Sequence, residues 1–173
     1  MIPLTSPRFL FILVAATCAF AMGFALYLDR VLGLTPCPLC MTQRVFVSGC
    51  GLVALAAAIH GAKGLWRRLY AGLALLFAIG GGAVAGRHVW LQQLPEDQVP
   101  ACGPDLQYML ENFPFTEALE MILMGDGNCA EVVWTFAGLS IPQQTLLLFS
   151  ALSFACLWQL LRSESATEKA GAA

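Results

Sequence analysis

Charged residues are scarce in this chain. Of its 173 residues, 9 are lysine or arginine and 11 are aspartate or glutamate, so that 12% are charged while 58% are hydrophobic. Soluble domains carry about 25% charged residues, and the composition therefore excludes an ordinary soluble domain. The formal net charge is −2, so the chain has no excess of positive charge of the kind that binds nucleic acid, and no nucleic-acid partner is predicted.

Motifs that bind metals and organic cofactors are also missing. Cys37 and Cys40 form a C-x-x-C pair, but zinc would need two more ligands at matching spacing, and neither a second C-x-x-C nor an H-x-x-x-H occurs. No histidine follows Cys40, which excludes covalent haem attachment through C-x-x-C-H. The glycine triplet at 80–82 lies inside an apolar run without a preceding strand, so it is not a dinucleotide-binding loop. No metal site is predicted.

Long uncharged apolar runs are what the chain does contain. Four runs of about 18 to 20 residues are each long enough to cross the hydrocarbon core of a membrane as a helix. Unbroken apolar runs indicate helices rather than barrel strands, whose apolar residues alternate with polar ones. The predicted fold is a single all-α membrane domain, a four-helix transmembrane bundle with spans at about residues 9–28, 41–62, 69–88 and 143–161.

The distribution of lysine and arginine predicts the orientation. With both termini in the cytoplasm, six basic residues lie on the inner side and three on the outer side, as the positive-inside rule requires. The cytoplasmic loop is then 63–68, and the outer loops are 29–37 and 89–142, of which the second holds eight acidic residues and no basic one. In a bacterial inner membrane the outer surface faces the oxidising periplasm.

The C-x-x-C pair lies at the outer entrance of the second helix. If Pro38 occupies the first helical position, Cys37 is the N-cap and Cys40 lies in the first turn. Both sulfurs are then at the positive end of the helix dipole, and Arg44 shares a helix face with Cys40. This arrangement favours thiolates, and it predicts a reactive thiol pair.

The long outer loop, 89–142, carries two further cysteines and a predicted short helix. Cys102 and Cys129 both stand beside turn-forming residues, so we expect flexible backbones and exposed sulfurs there. Thr116–Met124 is predicted to be an amphipathic helix that rests on the membrane surface. A structural disulfide between the two cysteines is one interpretation. Exchange with the C-x-x-C pair on the same face is the other.

Several other side chains have simpler explanations. Cys18, Cys50 and Cys156 lie in apolar spans, where a lone cysteine is usually a small packing residue. Arg87 and His88 end the third span, where the helix dipole stabilises positively charged side chains. His88 nevertheless faces the outer surface, where an imidazole can bond or protonate a bound acceptor, so both interpretations stay open.

Two thiol pairs on one membrane face can pass a disulfide between them. Exchange proceeds by thiolate attack through a mixed disulfide, so electrons can move from a partner dithiol to Cys102 and Cys129 and then to Cys37 and Cys40. The relay needs a final acceptor, and the sequence has no motif for a nicotinamide, flavin or haem group. A lipid-soluble quinone needs no such motif.

The chain resembles the bacterial disulfide bond formation (DsbB) family, which comprises quinone-dependent membrane oxidases. The resemblance covers nearly the whole chain. It is carried by the four spans and the exported cysteine pair, together with Pro36-Cys37-x-x-Cys40 and Arg44, His88 before Leu91-Gln92-x-x-Pro95, Gly127-Asn-Cys-Ala-Glu131 with Trp134, and Gly138-Leu-x-x-Pro142. It implies a bacterial inner-membrane, multi-pass protein whose active cysteines face the periplasm.

The resemblance also implies the role of each cysteine. Cys102 is similar to the sulfur that is attacked by a DsbA-like partner, a periplasmic oxidant of thioredoxin fold, and Cys129 to its disulfide mate. Cys37 is similar to the cysteine that exchanges with the exported loop, and Cys40 to the one that contacts the quinone. The implied activity is the reoxidation of the partner's dithiol.

The cofactor implied by the resemblance is a membrane quinone, either ubiquinone or menaquinone. Arg44 matches an arginine implicated at the quinone, and His88 matches a histidine placed near it. Cys40 completes this predicted quinone-binding set, and the membrane lipid and quinone pool are the remaining implied partners.

Three alternatives stay open on the sequence. A relative of vitamin K epoxide reductase is also a four-helix membrane protein with a C-x-x-C, but there the motif follows the loop cysteines, whereas here it precedes them. A membrane protein whose cysteines bind a metal is the second alternative. The third is a membrane scaffold with inert disulfides.

Overall fold

Four long helices dominate the fold. The structure, a computed structural model, describes residues 6–101, 103 and 106–162. The helices are α1 (Pro7–Arg30), α2 (Pro38–His60), α3 (Gly64–Leu91) and α7 (Ile141–Leu161). Each is long and apolar enough to cross a membrane, which confirms the predicted four-helix membrane bundle.

The outward surface of the bundle is apolar. Phe20, Leu76 and Phe154 are each at least 67% exposed although they are large hydrophobic side chains. A soluble protein rarely exposes apolar surface on this scale. Since lipid tails can cover these side chains, their exposure agrees with a multi-pass membrane protein.

The connection between α2 and α3 is shorter than the loop predicted at 63–68. Gly61 adopts a left-handed conformation (φ 63°), and its N–H bonds back to carbonyls of the last turn of α2. Glycine is favoured in this position because it has no Cβ. Lys63 is already the N-cap of α3, which begins at Gly64. The segment predicted as the loop 63–68 therefore overlaps the first turns of α3, because Arg67 and Arg68 continue the helix and do not end it.

Small residues allow the helices to approach one another. Helix α3 packs against both α2 and α7, and α2 also packs against α1. A Cβ atom added to Gly81 of α3 would overlap the ring of Phe149 on α7, and one added to Gly80 would lie 2.6 Å from the ring of Phe46 on α2. Because lipid tails are as apolar as the helices, such close packing is a main source of helix association in membranes.

We expect Gly81→Ala to destabilise the bundle, because the new Cβ alone meets the Phe149 ring of the neighbouring helix. Overpacking of this kind costs about 1–3 kcal/mol. The thermal unfolding midpoint in detergent should fall. Gly72→Ala is the matched control on the same helix, since its added Cβ meets nothing within 4 Å. Equal midpoints for both variants would contradict this packing.

The segment between α3 and α7 contains more structure than the one short helix predicted. Its described residues form a 3₁₀ turn (Glu96–Gln98), three short helices and a two-stranded antiparallel hairpin. The short helices are α4 (Leu106–Asn112), α5 (Phe115–Met124) and α6 (Gly127–Ala130), and the strands are β1 (Thr135–Phe136) and β2 (Leu139–Ser140). Helix α5 buries Ala118 and Ile122 and leaves Leu119 and Leu123 partly exposed; its contact with the membrane surface stays a prediction.

The hairpin lies against the end of the bundle at which α2 begins. The turn residues Ala137 and Gly138 both have positive φ, as the two-residue hairpin turn of type I′ requires. Trp134, just before β1, contacts the ring of Phe24 on α1 at 5.9 Å between centroids. Ser140 donates a 2.7 Å hydrogen bond to Gln92 at the end of α3. These contacts hold the loop over the mouth of the bundle.

Candidate active site

Cys37 begins helix α2 as its N-cap. Its backbone is extended (φ −70°, ψ 165°), Pro38 is the first helical residue, and the Cys37 sulfur accepts a 3.4 Å hydrogen bond from the Cys40 N–H. The proline after Cys37 predicted this position of Cys37 at the N-cap. The sulfur of Cys37 therefore lies at the N-terminus of α2, at the positive end of the helix dipole.

Cys129 is buried, and the expectation of an exposed sulfur was wrong. The cysteine is 0% exposed and packs with Leu39 of α2 and Leu91 of α3. Its N–H donates to Oδ1 of Asp126, the N-cap of α6, at 3.3 Å. The turn-forming neighbours shape the backbone of the loop, but apolar packing against two membrane helices fixes the sulfur.

Cys37, His88 and Cys129 come together although they lie far apart in the sequence. Their two sulfurs and an imidazole nitrogen all lie within 4.8 Å of one another. The Cys37 sulfur is 3.8 Å from Nε2 of His88. Two thiols and an imidazole at this distance can exchange a disulfide bond or hold a metal ion.

The surroundings of Cys129 disfavour a lasting thiolate. The neighbouring Cys37 sulfur and burial raise the pKa of the Cys129 thiol well above its ordinary value. Thiolate nucleophilicity increases with pKa. A thiolate released at Cys129 is therefore prone to attack a disulfide sulfur beside it.

His88 is held by a chain of polar side chains inside the membrane domain. Thr145 of α7 donates a 2.7 Å hydrogen bond to the Gln43 carbonyl oxygen, and the Gln43 amide donates to Nδ1 of His88 at 3.2 Å. With Nδ1 accepting, the ring proton sits on Nε2 and points toward Cys37. His88 is only 3% exposed, so its ring is turned toward Cys37 and Gln43 and away from solvent.

Gln43 and Thr145 were not predicted from the sequence. Gln43 is 3% exposed although it is polar and lies in a membrane span. A buried polar side chain in a span is by itself a signal of function. Its partner on α7 could not be identified without the fold.

Arg44 joins α1 to α2 beside the thiols. Its guanidinium forms a 3.0 Å ion pair with Asp29 and donates a 3.1 Å hydrogen bond to the carbonyl of Ala25. Both partners belong to the C-terminal end of α1. Arg44 is therefore held in place, with its charge partly balanced by Asp29.

A cavity of about 110 Å³ opens beside Cys37. Its walls include Cys37, Cys40, Arg44, His88 and Trp134. An engineered cavity of about 150 Å³ accepts a benzene ring, so the space suits one ring after small side-chain movements. The structure thus brings together five of the six predicted site residues, counting Cys129 next to Cys37; the sixth, Cys102, lies outside the described residues.

Comparison with known proteins identifies the family. Residues 7–159 match the family model described as DsbB, disulfide bond formation protein DsbB. The chain is 50% identical over 161 residues to disulfide bond formation protein B of Stutzerimonas stutzeri, covering 93% of this chain and 99% of the relative. It is 53% identical over 151 residues to the protein of that name from Saccharophagus degradans (87% and 91% covered) and 49% identical over 160 residues to disulfide bond formation protein B 1 of Pseudomonas aeruginosa (92% and 98%). This membrane protein therefore belongs to the DsbB family of disulfide-forming oxidoreductases.

Proposed function

We propose that the protein is a thiol:quinone oxidoreductase of the bacterial inner membrane, which reoxidises a periplasmic DsbA-like dithiol and passes the electrons to the quinone pool. The observation that carries this proposal is the approach of the Cys37 and Cys129 sulfurs to within 4.8 Å. This contact allows the loop pair, Cys102 and Cys129, to exchange a disulfide with the helix pair, Cys37 and Cys40. Cys40 and Arg44 line a cavity between the helices. They provide the last part of the electron route, from the cysteines to a quinone.

The first two exchanges begin to transfer a disulfide from the protein to its periplasmic partner. A thiolate of the partner attacks Cys102 of a Cys102–Cys129 disulfide, so that a mixed disulfide forms and Cys129 leaves as a thiolate. Cys129 then attacks Cys37 of a Cys37–Cys40 disulfide. The bond between Cys37 and Cys129 forms, and Cys40 is released as a thiolate in the first turn of α2, where the helix dipole favours negative charge.

The remaining exchanges complete the cycle. The partner's second thiolate breaks the mixed disulfide, so that the partner leaves oxidised and Cys102 becomes a thiolate. Cys102 attacks Cys129, restores their disulfide and frees Cys37. Cys37 and Cys40 then rejoin as a disulfide, and the two electrons that they release would reduce a membrane quinone to the quinol, with two protons taken up from water.

The residues around the cavity fit a quinone. A bound quinone supplies a two-electron acceptor that can dissolve in the membrane. The Arg44 guanidinium can donate to a carbonyl oxygen of the ring, and Cys40 can bring its sulfur to the ring, since both line the cavity. A DsbA-like partner has a potential near about −120 mV, so only an acceptor of higher potential can draw the exchange forward.

The proposal is tested by mixing detergent-solubilised protein with a reduced DsbA-like partner and a quinone, and following the quinone absorbance. We expect one quinol for each partner disulfide formed, with ubiquinone and menaquinone compared in parallel. No quinone reduction by a folded protein with either quinone would overturn the proposal.

We expect Gln43→Leu to slow the exchange between Cys37 and Cys129. The substitution leaves Nδ1 of His88 without its donor, and losing such a buried hydrogen bond costs about 1–2 kcal/mol, or about 5- to 30-fold in rate. The rate is measured by acid quenching and alkylation of free thiols. Gln43→Glu offers Nδ1 an acceptor in place of a donor, so it should also be slowed.

Gln93→Leu is the control for this prediction, because Gln93 is exposed and lies after the end of α3. It should exchange at the wild-type rate. If Gln43→Leu also did so, the hydrogen bonds around His88 would have no part in the reaction.

A further inference from the structure

The approach of two thiols and an imidazole has a second chemical consequence. We propose that Cys37, Cys129 and His88 form a binding site for a thiophilic divalent cation such as Zn²⁺ when both cysteines are reduced. These three side chains come from the start of α2, from α6 and from the end of α3. The sequence alone gave no such site because it has only one C-x-x-C; the fold supplies the other ligands.

The distances suit a tetrahedral metal site. Zinc binds thiolate sulfur at about 2.3 Å and imidazole nitrogen at about 2.0–2.1 Å, which places such ligand atoms about 3.5–3.8 Å apart. The Cys37 sulfur and Nε2 of His88 are 3.8 Å apart, and all three ligand atoms lie within 4.8 Å. The site therefore has to contract by about 1 Å at most. Cys40, which lines the same cavity, or a water molecule can take the fourth position.

The polar chain behind His88 can support the metal-bound form. Metal binding at Nε2 requires the ring proton on Nδ1, and a metal-bound histidine usually donates that proton to an oxygen. If the Gln43 amide turns over, its oxygen accepts from Nδ1, and its N–H₂ group donates to the Thr145 hydroxyl. That hydroxyl can in turn donate to the Pro142 carbonyl, 3.0 Å away. Every polar group then keeps a partner.

Metal binding competes with disulfide formation. Two thiols lose their protons when the cation binds, no electron is transferred, and neither sulfur is then free to form a disulfide. The cation would thus hold the reduced protein out of the cycle. This inhibitory consequence rests on the proposed function, whereas the binding site itself does not.

Cobalt provides the direct test. The full-length protein in detergent is reduced with a phosphine, which is then removed, and it is titrated with Co²⁺ under argon. We expect one Co²⁺ per chain, with the visible bands of tetrahedral cobalt and near-ultraviolet sulfur-to-cobalt charge transfer, all displaced by Zn²⁺. Protein oxidised at its cysteines should give neither signal.

Matched variants assign the ligands. His88→Ala and Cys129→Ser should weaken binding by at least about tenfold, because even loss of an outer-shell partner costs about 10- to 100-fold. His60→Ala is the histidine control, since His60 lies at the other end of α2 beside Trp66 and Tyr70. His88→Gln, which keeps the ring volume more nearly, is used if His88→Ala does not fold.

Two results would overturn the inference. One is an unchanged cobalt spectrum in folded His88→Ala and Cys129→Ser proteins. The other is loss of the spectrum in Cys156→Ala, which would assign the cation to the thiols of the membrane core. Quinone reduction by the metal-free protein is measured separately. Absence of quinone reduction would then not affect the cobalt result, and absence of cobalt binding would not affect the proposed function.

Discussion

Cys40→Ser should reduce quinone reduction to the uncatalysed background. Without the Cys40 sulfur, the disulfide between positions 37 and 40 cannot form, so no electron pair can reach the cavity that Cys40 and Arg44 line. The Cys102–Cys129 disulfide would still be present. The variant should therefore oxidise about one equivalent of the reduced partner and then stop. Partner thiols and quinone absorbance are followed together.

Cys50→Ala is the control for this prediction. Cys50 lies on the same helix as Cys40, but it is buried in the membrane core, where it has no part in the proposed relay. It should turn over at close to the wild-type rate. Continuous quinone reduction by Cys40→Ser would show that electrons leave the protein by another route.

Cys102→Ser should prevent capture of the partner as a mixed disulfide. The test uses a DsbA-like partner with only its attacking cysteine, which forms a stable mixed disulfide with the sulfur it reaches. Cys129 cannot take over this role because its side chain is 0% exposed and packed between α2 and α3. The complex should fall to the level seen with alkylated protein on a non-reducing gel.

Cys18→Ala provides the matched control, since Cys18 is buried in the bundle core. This variant should capture the partner at the wild-type yield. A complex of undiminished yield with Cys102→Ser would mean that the partner attacks a different sulfur, and the proposed order of exchange would be wrong.

The sequence predicted the features that depend on local signals. The four spans follow from long apolar runs, and the position of Cys37 as an N-cap follows from the proline after it. Helix ends were less certain, because basic residues can continue a helix, as Arg67 and Arg68 do in the first turns of α3.

Features that depend on distant contacts could not be predicted from the sequence. The glycine and asparagine beside Cys129 suggest an exposed turn, but its burial depends on Leu39 and Leu91, which lie on other helices. The role of Gln43 likewise depends on Thr145, which is 102 positions away in the sequence. For His88, only the fold distinguishes an inward-facing ring from a simple helix cap.

The Cys37 and Cys129 sulfurs lie close enough to be joined, and a protein that keeps only these two cysteines shows whether they are. The other five cysteines, Cys18, Cys40, Cys50, Cys102 and Cys156, are replaced by alanine or serine. The folded protein is treated with a mild oxidant in native membranes, and the disulfide is mapped by mass spectrometry of its peptides. We expect an intramolecular Cys37–Cys129 disulfide to form in most molecules. Two free thiols, or only links between chains, would contradict it.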